Sequence, residues 1–354
     1  MTTITMIASI VHCYVGCGAG SDDLQALHVL ECDTESGAAR IVQSVKGPQG
    51  STYLALDAAR RYLYTMNRED KLSALVRYPF EGWRLGKAER LAKIPCEAPC
   101  HISLTPDESR VAFAAYSSAT AGTCPIAGGA STVFVFPDDA MGPNPKRQQK
   151  AYAHCTFYTP DGKWLGIVDL GCDRIWFFDP VTMARNESLV ASFDPGDGPR
   201  HAIWSKDNRF LFVLNELGST ITTFAYDGRS LAKVGKWTML PPGVPQDASK
   251  ASAIKLTADG KLLMGSNRGY DSIAFFDVDA ATGCLALRNI AKVPGSFPRD
   301  FELMPGERFM VVGHERSNNI QICRFDRAVC TLEPVGEPIA ACKPICFKFL
   351  EEQQ

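Results

Sequence analysis

Several things are scarce in this 354-residue sequence, and each scarcity excludes something. There is no basic excess: 37 Lys and Arg stand against 39 Asp and Glu, for a formal charge of -2, and the cations are scattered. A nucleic-acid surface needs concentrated positive charge, so no nucleic-acid partner is expected, and any bound anion must be met by a few placed cations. No stretch approaches the ~18 apolar residues that span a bilayer, which leaves no membrane partner. The first twenty residues are apolar, yet no Lys or Arg precedes His12 and Val15-Gly16-Cys17 is a poor lipobox; both argue against an export signal and for a cytoplasmic protein. The thirteen cysteines include three C-x-x-x-C pairs, Cys13 and Cys17, Cys96 and Cys100, Cys342 and Cys346. Zinc knuckles favour C-x2-C on turns, whereas four residues along a strand separate two thiols by roughly 13 Å at ~3.3 Å per residue. These cysteines are expected to be small buried side chains in a reducing cytosol.

Helical periodicity is also nearly absent. What is present is a repeat. The stretch DGPRHAIWSKDNRFLFVLNE, Asp197 to Glu216, alternates apolar and other residues around a polar break at Ser205 to Asn208, the pattern of two strands joined by a tight turn. It has relatives beginning at Gln49, Ala98, Tyr152, Ala248 and Ser296. The turn residues Asp57, Asp107, Asp161, Asp207, Asp259 and Gly306 recur every ~50 residues, within the range of propeller blades. A third strand ending on an acidic residue follows most of them, as in IWFFDP from Ile175 and IAFFDVD from Ile273, and a weaker fourth comes after. Four antiparallel strands per repeat with Gly or Pro at most corners predict an all-β propeller.

Six full repeats leave complementary fragments at the two ends. KPICFKFL from Lys343 resembles an innermost strand without its partners, and SIVHCYVGC from Ser9 with ALHVLECD, ending at Asp33, supplies them. The expectation is a single seven-bladed domain over residues 1–354, with the seventh blade shared between about 7–33 and 341–350; closure of this kind removes exposed sheet edges.

Facing residues in a hairpin have numbers that sum to a constant. That rule sets His101 near Tyr116, His154 near Asp169, Arg200 near Glu216, Lys250 near Asn267 and Arg268, and Arg299 near His314, with Asn67 and Arg68 at the same level. Polar groups from six blades should then crowd one mouth of the central channel. Titratable groups concentrated at a concave site are a functional signal. His201 adjoins Arg200, and strand alternation would point it away from the arginine's side. Ser117 to Ser131, rich in Ala, Gly and Thr, looks like an insertion forming a long loop over one face.

The run GPRHAIWSKDNRFLFVLNELGSTITTF, with AHCTFYTPDGKWLGIVDLGCDRI before it and SNRGYDSIAFF after it, resembles the seven-bladed propeller lactonase family, which includes the propeller type of 6-phosphogluconolactonase and the carboxy-muconate lactonising enzyme. The resemblance runs from about Ile7 to Phe349. It implies catalytic roles for His154, Arg200, Glu216 and Arg268; the mouth positions add His101, Arg299, His314, Asn215, Asn267 and Asp169 as substrate-binding candidates. Many relatives carry His-x-His where this chain has Tyr152-Ala153-His154.

Opening a lactone needs a base for water and positive charge for the oxyanion. Glu216 or His154 can be the base, while Arg200 or Arg268 can hold the oxyanion or an anionic substituent, since guanidinium donates two parallel hydrogen bonds. The resemblance thus implies a small anionic lactone such as 6-phosphogluconolactone as substrate, no cofactor and no metal, in a monomer or weak dimer. The same groups suit a cycloisomerase making a lactone from a muconate, and a propeller that only binds proteins is the rival from another class. A calcium ion on Glu216, Asn215, Asn267 and Asp169 is opposed by the two arginines.

Overall fold

The computed structural model describes residues 9–18, 25–46, 52–137 and 141–350; residues 7–8 of the seventh blade, 49–51 of the first repeat and residues 1–8 and 19–20 of the apolar N-terminal stretch lie outside the described residues. Seven antiparallel sheets follow one another, six built from consecutive strands and the seventh from both ends of the chain. The fold is an all-β seven-bladed propeller with four antiparallel strands per blade, blade 1 adding a two-residue strand, Arg84–Leu85, that pairs with its third strand beside the fourth. Among the described residues the one helical turn is a 3-10 turn at Gln246–Ala248, and no helix is long and apolar enough to cross a membrane.

Blade 4 shows why the sequence folds this way. Its strands are Pro199–Trp204, Phe210–Asn215, Thr220–Tyr226 and Leu231–Thr238, from channel to rim. FLFVLN is buried at every position, because both faces of this strand are covered by neighbouring blades, as a continuous apolar run requires. The outer strand LAKVGKWT keeps none of its residues fully buried. The same turn joins the first two strands in six blades, with the fourth residue donating its N–H to the carbonyl of the first, as from Asn208 to Ser205 and from Gly162 to Thr159. That fourth residue is left-handed, at φ 62° for Asn208 and 69° for Gly162, which Gly and Asn tolerate best. In blade 1 the fourth residue is Arg60, so Asp57 is the first residue of the turn rather than its centre; its carboxylate accepts the N–H groups of Arg61 and Tyr62.

Blade 2 departs from the sequence reading. Residues 117–131 are not an inserted loop: Thr120–Pro125 is the third strand, paired from Ala115 with Thr120 to Arg110 with Pro125, and Thr132–Val135 completes the sheet. Its small residues mimic loop composition because the space is small. A Cβ on Gly122 would stand 2.3 Å from the Thr132 carbonyl oxygen and 2.7 Å from the Phe113 ring. The long connection comes later, between Val135 and Ala153.

In blade 7 the innermost strand Pro344–Leu350 pairs with Ile10–Cys17, which is followed by Gln25–Asp33 and Ala39–Lys46. Asp300 of blade 6 accepts the Phe347 N–H at 2.9 Å, fastening the C-terminal strand to its other neighbour. One apolar cluster fills each gap between adjacent blades, seven in all, including the gap between blades 7 and 1 around Tyr14, Leu54 and Cys346. Each fully buried Phe or Leu contributes ~1.5–3 kcal/mol, and closure lets every blade bury both faces. None of the thirteen cysteines is joined in a disulfide, and nine of them are buried.

Candidate active site

β-Bulges aim the side chains of the site. Near the mouth end of the innermost strands, Ala153 faces Asp169 and Cys155 faces Val168, Pro199 faces Asn215 and His201 faces Leu214, and Pro298 faces His314 and Asp300 faces Gly313. One residue is extra in each case, and these are His154, Arg200 and Arg299. A bulge redirects a side chain that simple alternation would place elsewhere. The second ring of mouth residues lies at the far end of the second strands, where Glu216, Arg268 and Glu315 occupy equivalent positions in blades 4, 5 and 6.

Glu216 is the centre of the cluster. Its Oε2 accepts from Arg200 Nε at 3.1 Å and lies 2.8 Å from Arg268 Nη2, its Oε1 accepts from Arg147 Nη2 at 2.5 Å, and His154 Nε2 stands 4.0 Å away. Arg200 also donates to the Ser252 carbonyl at 2.6 Å and Arg268 to the Ala251 carbonyl at 3.0 Å, which fixes both against blade 5. Burial by itself would raise the Glu216 pKa, but the charges of Arg268, Arg200 and Arg147 outweigh it and hold the carboxyl well below the usual range. Burial and the neighbouring Arg268 and Arg299 push Arg200 down to about 9, still cationic at neutral pH. Burial, then the charge of Arg200, lowers His154 well below the usual imidazole value, so this ring is neutral at pH 7.

The structure revises two histidine placements. His201 does not turn away from Arg200: its ring nitrogens lie 3.0 and 3.3 Å from Arg200 Nη1, because the bulge at Arg200 breaks the alternation. His101 faces Ala114 rather than Tyr116, since the turn is centred two residues' worth earlier in the pairing sum. It sits one layer deeper, with its ring 3.9 Å from that of Tyr53 and its Nδ1 3.2 Å from the Thr156 N–H nitrogen. The rings of His101, His201 and His154 follow one another at 5.4 and 5.5 Å.

Four expected substrate-binding residues are hydrogen-bonded within the propeller. Asp169, Asn215, Asn267 and His314 occupy equivalent positions, and all are buried. Asp169 accepts the N–H groups of Tyr152, Gly171 and Cys172 and the Trp176 indole N–H. Asn215 donates to the hydroxyls of Thr220 and Thr222, Asn267 to the Met239 carbonyl and Ser272, and His314 Nδ1 lies 2.9 Å from Asn319 Oδ1. These groups hold corners, which is why polar residues recur there. Among the described residues no group of three or more His, Cys, Asp or Glu is placed to hold a metal ion. Arg299 remains at the mouth, paired with Glu315 at 3.0 Å, and Lys250 faces Arg268 across its hairpin. Arg68 pairs with Glu97 at 2.7 Å, with both side chains largely in solvent.

Sequence reasoning missed Arg147. It belongs to the connection between blades 2 and 3, outside the repeat, where the only signal is the pair Lys146-Arg147 in a Pro- and Gln-rich run. Besides Glu216 it donates to the Tyr116 hydroxyl at 3.2 Å. Tyr116 in turn stacks on Tyr152 at 4.5 Å and meets the His154 ring at 5.5 Å.

Fold and site together define a closed propeller with an arginine, carboxylate and histidine cluster in one mouth. The profile of the family described as lactonase, 7-bladed beta-propeller matches residues 12–349, and the chain belongs to that family. A 6-phosphogluconolactonase of Bacillus subtilis (strain 168) is 28% identical over 336 residues, covering 93% of this chain and 95% of that protein. Among solved structures, a protein from Lactobacillus plantarum superposes with a TM-score of 0.86 at 28% identity, covering 97% of this chain and all of its own. The periplasmic gluconolactonase PpgL of Pseudomonas aeruginosa gives a TM-score of 0.86 over 96% of this chain and 99% of its own; at 23% identity it speaks for the fold alone.

Proposed function

We propose that this protein hydrolyses an acidic sugar lactone, with 6-phosphogluconolactone as the substrate, and that His154 is the base. The observation that carries the reading is a neutral imidazole beside a carboxylate ringed by three guanidinium groups. With both oxygens committed to arginines, Glu216 is a poor proton acceptor, which favours His154 of the two candidates. Water gives its proton to His154 as its oxygen attacks the lactone carbonyl, and the oxyanion takes hydrogen bonds from Arg200 and Arg268. The imidazolium that forms is stabilised by Glu216, 4.0 Å from Nε2. Collapse of the tetrahedral intermediate breaks the bond to the ring oxygen, which accepts the proton back from His154, leaving the open hydroxy acid. The guanidinium groups supply the positive charge, so the step as drawn needs no metal. Kinship with a protein named 6-phosphogluconolactonase supports the substrate, and thirteen cysteines without a disulfide support a reducing, cytoplasmic setting.

The test is the disappearance of freshly generated 6-phosphogluconolactone, followed with a coupled dehydrogenase in the presence of EDTA. Acceleration over the spontaneous rate supports the proposal. Lactone consumption at the spontaneous rate, or conversion of a muconate instead, refutes it.

A further inference from the structure

We propose that Arg147 is the specificity residue for the substrate's anionic group: it exchanges Glu216 for a phosphomonoester at the mouth and so distinguishes a phosphorylated lactone from a neutral one. This rests on the lactonase reading and assigns a role to a residue that lies outside the repeat.

Charge is the first argument. Lys250 stands opposite Arg268 beyond the groups that touch Glu216; among those groups three guanidiniums face one carboxylate, which leaves two positive charges, and Arg299 is matched by Glu315. A phosphomonoester carries about -1.5 to -2 at pH 7, which matches that excess, whereas a neutral lactone leaves it standing.

Position is the second argument. The Arg200 and Arg268 side chains are 4% and 5% exposed, while that of Arg147 is 28% exposed. An anion entering the mouth therefore meets Arg147 first. Arg147 holds only Oε1, and Oε2 keeps both buried arginines when it leaves, so the exchange does not strand Glu216 as a lone buried charge. The planar guanidinium can present two parallel donors to phosphate.

The base of the arm is anchored by the backbone and buried groups around it, while its tip is held by Glu216 and the Tyr116 hydroxyl alone. The Gly142 N–H donates to the Gly171 carbonyl, and the Gln148 side chain, 1% exposed, donates to the Leu170 carbonyl and accepts the Asn144 N–H. Asn144 Oδ1 accepts the N–H groups of Lys146 and Arg147. A Cβ on Gly142 would stand 2.4 Å from the Gln148 carboxamide carbon, so the segment folds closely on itself. A long, part-exposed side chain on an anchored backbone, steadied by the Tyr116 hydroxyl, is suited to turn between two partners without moving the chain.

The experiment measures binding and turnover separately. Calorimetry compares 6-phosphogluconate with gluconate on the wild type, Arg147→Gln and Arg147→Lys, and kinetics compare kcat/KM for 6-phosphogluconolactone with that for glucono-1,5-lactone. Arg147→Gln should weaken 6-phosphogluconate by about 10- to 100-fold, the scale of a lost charged hydrogen bond, and gluconate at least tenfold less. The ratio of the two kcat/KM values should fall by a similar factor, and Arg147→Lys, a point charge without the fork, should lie between. Equal losses for both ligands, or unchanged 6-phosphogluconate binding, overturn the proposal, and melting curves confirm that each variant is folded. Arg147-dependent binding of 6-phosphogluconate without turnover of either lactone would leave this assignment standing and remove the lactonase reading. Failure of the wild type to bind 6-phosphogluconate would overturn the assignment whatever the turnover.

Discussion

Replacing Glu216 with Gln removes one charge and almost no volume, so it isolates the electrostatic role of the residue. In the wild type its carboxylate offsets Arg200 and Arg268, whose side chains are 4% and 5% exposed. Without it, two buried guanidinium groups face each other and Arg147 with no counter-charge. Removing one partner of a buried ion pair costs about 3–5 kcal/mol. With unfolding entropy of roughly 2.1 cal/mol/K per residue, 354 residues give about 0.74 kcal/mol/K, so that loss lowers Tm by about 4–7 °C. Calorimetric or fluorescence melting reads this directly. Phosphate in the buffer should recover more of the loss in Glu216→Gln than it adds to the wild type, because an anion can replace the missing charge. A variant melting within 1 °C of the wild type would refute the claim that Glu216 neutralises buried cations.

Other outcomes follow from the same geometry. Asp169→Ala should destabilise the fold by about 2–4 kcal/mol, since a buried acceptor of four hydrogen bonds is lost; an unchanged melting curve would show that Asp169 is not a corner brace. A chain ending at Cys342 lacks the innermost strand of blade 7 and should not fold cooperatively; a sharp melting transition would contradict closure by both termini. Burial lowers the pKa of His101, His154 and His201, so below pH 6.5 the unfolded chain binds protons that the folded one refuses, and stability falls toward acid. Glu216, held below its ordinary 4.5, adds to that loss only at lower pH, while Asp169 and Asp300, raised by burial, work in the opposite sense. Tm should be level from pH 8 to 7 and decline below 6.5, with a shallower slope in His101→Asn; a rise in Tm toward acid would contradict this.

The repeat made the fold legible, because each blade restates one turn and one apolar strand, and the two terminal fragments complement each other. Blade 2 misled because Thr120–Pro125 is built of small residues that fit beside Phe113, and strand propensity does not register that constraint. At the site, Arg200 and Glu216 were legible from hairpin arithmetic alone. The direction of His201 was not, because bulges leave no mark in the hydrophobic pattern, and the depth of His101 was not, because the pairing sum of its hairpin is two lower than in the sequence reading. Asn215, Asn267, Asp169 and His314 looked like site residues because a polar side chain bracing a corner and one lining a mouth leave the same trace in sequence. Arg147 was illegible for the opposite reason: it arrives on a connection that no repeat predicts.

The central claim is that the ring of charges at this mouth serves a histidine base that opens lactones. The most direct measurement is the rate of 6-phosphogluconolactone hydrolysis by the wild type and by His154→Asn, each checked for an intact melting transition. Acceleration over spontaneous hydrolysis that falls by about 10²–10⁴-fold in the variant is the result the account predicts. A fully active His154→Asn, or a wild type no faster than water alone, would contradict it.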